Sequence, residues 1–265
     1  MSHTAPHSQP PWIARIRQPL FWVLFYAVVI AAWTALYLMA RAKPLMLGDA
    51  ADFWASLCLS AAQIDPFALY AMWVLMAAAM MLPGFVPALR VFGDIAQVNA
   101  SDTHSMVALV AGYAAIWLGF STVATGLQIL LSQAGWLAPD GTSLSPWLTA
   151  LLLLAAGAYQ LSLVKAACLS KCRHPLVFFL QYWKPGPAPA FGMGLRLGMY
   201  CVGCCWALMT LGFIGGAMNL LWMGAATLFM TFEKLPDIGT RLTKPAGLIL
   251  LALGVWMSVQ ALQSI

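Results

Sequence analysis

Residues 191–213 read FGMGLRLGMYCVGCCWALMTLGF, an apolar run in which Arg196 is the one charge. At about 1.5 Å per residue such a run reaches roughly 35 Å as a helix, enough to cross a hydrocarbon core of ~30 Å. The same reading applied outward predicts seven spans: Leu20 to Ala40, Pro66 to Leu89, Ser105 to Leu131, Pro146 to Cys168, Phe191 to Phe213, Met218 to Leu235 and Pro245 to Ile265. Composition agrees, because the 265 residues are 62% hydrophobic and 8% charged, whereas about a quarter of a soluble domain is charged. The expected fold is all-α: a polytopic transmembrane helix bundle of about seven spans.

Residues 1–19 are expected to be a mobile N-terminal tail and residues 20–265 a single transmembrane domain, the lipid bilayer being the main partner. His3 and His7 read as solvated tail residues. The first apolar run is followed by Arg41 and not by a small-residue cleavage site, so the first span is expected to be retained. Leu47 to Ile64 is too polar at its start to span and suits an interfacial helix capped by Asp49. Pro83 and Pro87 should kink or end the second span. The net charge of +5 fits basic loops better than nucleic acid, for which no partner role is expected.

Placing the N-terminus in the cytoplasm puts Arg15, Arg17, Arg90, Lys165, Lys171, Arg173, Lys184, Arg196, Lys234, Arg241 and Lys244 on the inner side and leaves Arg41 and Lys43 outside. Cytoplasmic retention of Lys and Arg during insertion produces that asymmetry.

Five of the six cysteines fall in two groups, Cys168 with Cys172 and Cys201 with Cys204 and Cys205, while Cys58 stands alone. If the fourth span runs on helically by one turn, Cys168 and Cys172 sit at i and i+4, as do Cys201 and Cys205, and two thiolates so spaced can face a single ion. Both groups lie on the inner half in this topology, where thiols stay reduced, so metal or redox chemistry is favoured over disulfides. The competing reading is close packing, for which Gly194, Gly198 and Gly203 provide a small-residue face. Met72, Met76 and Met80 recur on one face of the second span with Met81 beside the last. They are core filler or, for Met80 and Met81, soft auxiliary ligands suited to Cu(I). Glu233 closes the sixth span near the same depth, either as a metal-site gate or charge balance or as an ion-pair partner of Lys165 or Lys171. His174 is a reserve ligand and His104 an interfacial polar residue.

Phosphate-binding, zinc-hydrolase and nucleophile-elbow motifs are missing, and no histidine sits mid-span for a bis-histidine haem. That leaves any catalytic activity undefined. The runs WVLMAAAMMLPGFVP, AAGAYQLSLVKAACLSKCRHP and YCVGCCWALMTLGFIGGAMNLLWM with the following FEKLP together resemble the bacterial family of predicted metal-binding integral membrane proteins of unknown function. That resemblance singles out Met80, Met81, Lys165, Cys168, Cys172, Cys201, Cys204, Cys205, Trp206, Met218, Glu233 and Lys234, and implies a multi-pass protein of the bacterial inner membrane.

The leading expectation is a transition-metal site for metal handling, with copper favoured and zinc next. Its ligands would be Cys168, Cys172, Cys201 and Cys205, with Cys204 as alternate. An accessory subunit or assembly factor docking other subunits of a membrane complex, and a thiol-redox or electron-transfer protein, are the competing functions.

Overall fold

The structure, a computed structural model, describes residues 11–41, 66–98, 103–138, 141–216 and 219–263. The stretches read as tail histidines, as the interfacial helix with Asp49 and Cys58, and Met218, lie outside the described residues. All named elements are helices: α1 (Pro11–Arg41), α2 (Pro66–Met81), α3 (Val86–Val98), α4 (Thr103–Gln133), α5 (Pro146–Gln160), α6 (Leu163–Arg173), α7 (Pro175–Tyr182), α8 (Pro187–Thr210), α9 (Gly212–Gly215), α10 (Leu220–Glu233) and α11 (Pro236–Gln263). Extended pairing among the described residues is limited to one bridge between Leu137 and Ser143. The all-α expectation therefore holds, and α1 is already helical at Pro11, inside the stretch read as tail.

Against the expected count of about seven, the described residues give four to six candidate spans. Among the described residues, four stretches are long and apolar enough to cross a membrane: Pro19–Ala40, His104–Gln133, Pro187–Gly215 and Ile238–Gln263. Two more are broken, α2 against α3 by 42° and α5 against α6 by 62°, so the count reaches six if each bent pair is one span. The seventh candidate, α10, has 14 residues, roughly 21 Å of helix, which is short of a ~30 Å core. The hydropathy reading of Met218 to Leu235 extends beyond both ends of the helix that forms there.

Each break has a local cause. Pro83 lacks an N–H and opens a single 3-10 turn, Pro83–Phe85, between α2 and α3. The kink expected from the two prolines is present. The other break was not expected: α5 stops at Gln160, and Ser162 caps a new helix by accepting a hydrogen bond from the Lys165 N–H at 3.1 Å. The helix of the fourth span is therefore broken before Cys168, although Cys168 and Cys172 keep their i, i+4 relation on α6.

Of the four spanning stretches, Pro187–Gly215 has 61% of its apolar window buried, against 17% to 33% in the others. Helix α8 is thus the element round which the rest pack. Its tightest seam is with α4, and glycine makes it possible: a Cβ on Gly194 would strike the Leu109 carbonyl oxygen, and one on Gly112 would lie 2.9 Å from the Leu195 nitrogen. Gly198 meets Ile116 in the same seam. Close backbone approach of this kind is how small residues hold helices together in an apolar solvent. The charge of Arg196 is accommodated over the Tyr182 ring, 4.6 Å from its centroid. A second glycine seam, Gly157 on α5 with Gly247 and Gly254 on α11, ties α11 to the bundle. The outer face of α11 is left apolar and exposed at Leu248, Ile249, Val255 and Trp256.

Candidate metal centre

Cys201, Cys204 and Cys205 lie in the C-terminal half of α8, each 2% exposed. Their sulfurs all fall within 4.8 Å of one another. The helix itself accounts for this, since i, i+3 and i+4 positions share a face. The Cys204 and Cys205 sulfurs are 3.2 Å apart and Cys204 Sγ donates to the Cys201 carbonyl at 3.1 Å. All three remain free thiols. Metal–thiolate bonds of about 2.3 Å in trigonal or tetrahedral geometry separate the sulfurs by roughly 4 Å. The donor set therefore fits a soft ion with small side-chain adjustments.

The glycine seam with α4 brings Tyr113 to this cluster. Its hydroxyl is 3.0 Å from Cys201 Sγ and 3.3 Å from the Met81 carbonyl oxygen. A phenol has one proton to give. With Cys201 as a thiol, the S–H can donate to Tyr113, which in turn donates to Met81. Once Cys201 is a thiolate, the same phenol proton can turn to the sulfur. Phe85, in the turn that breaks the second span, stacks on Tyr113 with centroids 4.0 Å apart and planes at 9°, fixing the ring. Lys234, just past α10, reaches the other side of Cys201 with Nζ at 3.4 Å from the sulfur. Gly84 leaves room for it, since a Cβ there would lie 2.8 Å from that Nζ. The cluster thus holds three sulfurs, one phenol and one ammonium, an arrangement able to balance thiolate charge.

The two cysteine groups meet. Cys168 Sγ would be 2.7 Å from a Cβ built on Gly203, so the absence of a side chain at Gly203 is what admits it. Cys172 stands one turn further along α6. Both are half-buried and neither belongs to the tight group of three. Helix α6 is also more polar than the spans, with exposed Ser170 and half-buried Lys171 and Arg173.

Glu233 is placed elsewhere. Its carboxylate accepts from Lys165 Nζ at 2.8 Å and from the Gln160 amide, and Lys165 also donates to Gln160 Oε1 at 2.5 Å. Lys165 and Glu233 are 1% and 2% exposed, so this is a buried ion pair, the second of the two roles expected for Glu233. Arg173 adds a bond from Nε to the Glu233 carbonyl at 2.9 Å. These contacts fasten α6 to the end of α10, one residue before Lys234. Met80 and Met81 are buried where α2 ends, Met81 touching the cluster through its carbonyl and Tyr113. Met72 and Met76 are buried in the core along α2. His174 caps α6 and is exposed, outside the thiol group, and His104 is exposed near the start of α4.

Sequence reading passed over Tyr113, Gly84 and Gln160. A signal for Tyr113 existed: a phenol within an apolar stretch of a helix needs a polar partner, and Gly112 beside it marks close helix contact. Gly84 and Gln160 carried none, because each matters only for what arrives from another helix.

Comparison with known proteins adds a family. No curated protein and no solved structure matches the chain. The family described as PpoB2, copper chaperone, matches residues 70–257, the stretch that contains every cysteine and methionine of the site. That description differs from the name of the predicted metal-binding membrane family which the motifs resemble; what the two have in common is metal. Since the match takes in more than half of the chain, the protein belongs to the PpoB2 copper chaperone family.

Proposed function

We propose that this chain is a membrane-embedded copper-handling protein that holds Cu(I) on the thiols of Cys201, Cys204 and Cys205. The observation that carries the reading is the buried group of three sulfurs in a chain of copper chaperone family membership. Soft thiolates favour Cu(I). Zinc in a structural site takes four ligands, and among the described residues no histidine or carboxylate joins the three cysteines within ligand distance. Copper is therefore preferred as cargo over zinc. Tyr113 and Lys234 serve as the groups that balance and orient the Cys201 sulfur, while the Glu233–Lys165 pair holds the surrounding helices. The four long apolar helices support residence in a bilayer, and the basic residues of α6 together with Arg196 of α8 fit the cytoplasmic side of an inner membrane.

The test is anaerobic copper and zinc loading of the detergent-purified chain, followed by elemental analysis and competition with a Cu(I) chelator. The expected result is stoichiometric, chelator-resistant copper that disappears in the Cys201→Ser, Cys204→Ser, Cys205→Ser triple variant while helix content stays the same. Chelator-resistant copper retained by that variant, or zinc held in preference to copper by the native chain, overturns the reading.

A further inference from the structure

We infer that Cys168 and Cys172 form a separate outer dithiol station that receives Cu(I) and hands it to the buried three-thiol site through Cys204. The inference rests on the proposed copper reading and divides the five thiols by role. Three observations point to it.

The first is access. Cys201, Cys204 and Cys205 are each 2% exposed, so an ion arriving from outside cannot reach them without passing another group. Among the described residues, Cys168 and Cys172 are the half-buried thiols. They stand on α6, whose exposed Ser170 and charged Lys171 and Arg173 suit a polar boundary more than hydrocarbon.

The second is contiguity. Cys168 is seated against Gly203, the residue before Cys204, and Cys172 stands one turn further along the same helix as Cys168. Copper(I) moves between thiols by ligand exchange, in which the incoming sulfur bonds to the metal before the outgoing one leaves, so donor and acceptor sulfurs must be neighbours. Here the Cys204 sulfur forms a bond to copper held by Cys168 and Cys172, and the bond to Cys172 then breaks. The proton lost by the Cys204 thiol is taken up by the departing Cys172 thiolate. Copper stays Cu(I), and no oxidant or reductant enters.

The third is the way α6 is held. It is a separate helix after a 62° bend, tied by Lys165 to Glu233 and by Arg173 to the Glu233 carbonyl. These bonds set the outer pair against α8 without engaging either thiol. A single five-thiol cage needs no such division, and its sulfurs should not differ in exposure as these do.

The experiment follows loading of the full-length chain in detergent by stopped-flow absorbance of the copper–thiolate band, with Cu(I) supplied as its glutathione complex. The Cys168→Ser, Cys172→Ser variant is expected to reach the same buried equivalent of copper as the native chain but about tenfold or more slowly, because capture then waits for the bundle to open. The variant lacking the three buried thiols is expected to take copper at the native rate and to surrender it to chelator at once. Gly203→Ala serves as a second check, since it keeps all five thiols but pushes Cys168 off α8, and it is expected to slow loading with full final occupancy. Native loading rates in both Cys168→Ser, Cys172→Ser and Gly203→Ala overturn the relay, as does loss of the buried equivalent in the former. If the native chain takes no copper at all, it is the copper reading itself that fails.

Discussion

Cys201 and Cys205 on α8 have the same spacing as Cys168 and Cys172 on α6, yet the two pairs live in different surroundings. The first pair is 2% exposed, packed by a glycine seam against α4, and flanked by a phenol and an ammonium. The second is half-buried on a short, polar helix set off by a 62° bend. Helical spacing makes two thiols able to face one ion, but it says nothing of whether they are meant to retain it. Retention follows from burial and from neighbours that balance charge, and exchange follows from exposure.

The largest break in this comparison should come from Lys165→Met. The substitution leaves the Glu233 carboxylate buried with Gln160 as its remaining side-chain partner, and losing one member of a buried ion pair costs about 3–5 kcal/mol. Reversible unfolding in detergent should show the loss, and Lys165→Met with Glu233→Met should recover much of it. An unchanged unfolding midpoint in the single variant shows that the pair does not hold α6 in place. Next in size is Gly194→Ala, whose Cβ runs into the Leu109 carbonyl. Overpacking of this kind costs about 1–3 kcal/mol, and it should also move Tyr113 away from Cys201. Gly192→Ala, with nothing within 4 Å of its Cβ, should be neutral in the same assay. Equal effects from both contradict a glycine-dependent seam.

Tyr113→Phe is the smallest and the most selective. Removing one hydrogen bond to a buried sulfur is worth about 1 kcal/mol, so Cu(I) retention at equilibrium should weaken by about threefold to tenfold. The rate of capture at Cys168 and Cys172 should stay native. Chelator competition read beside stopped-flow loading separates the two, and a slowed capture with native retention would invert the assignment of roles.

Much of the site is legible in the residues alone. The two cysteine groups, the small-residue face of Gly194 and Gly198, and the choice for Glu233 between metal and Lys165 all follow from residue type and spacing. What escapes is the break at Ser162, because a fifteen-residue, mostly apolar helix followed by a polar turn looks continuous to any average taken across both, and a serine is both a tolerated span residue and a helix cap. Tyr113 and Gly84 escape for another reason: their importance lies in what approaches them from helices distant in sequence.

An all-helical, apolar chain with soft ligands in two groups is written into the order of its amino acids, since helix formation and hydropathy are local properties of consecutive residues. Which thiols are sealed and which stay accessible, and the meeting of Tyr113 and Lys234 at the same sulfur, came from packing alone. Burial is set by elements far apart in the chain, and no window along one helix records what lies across from it.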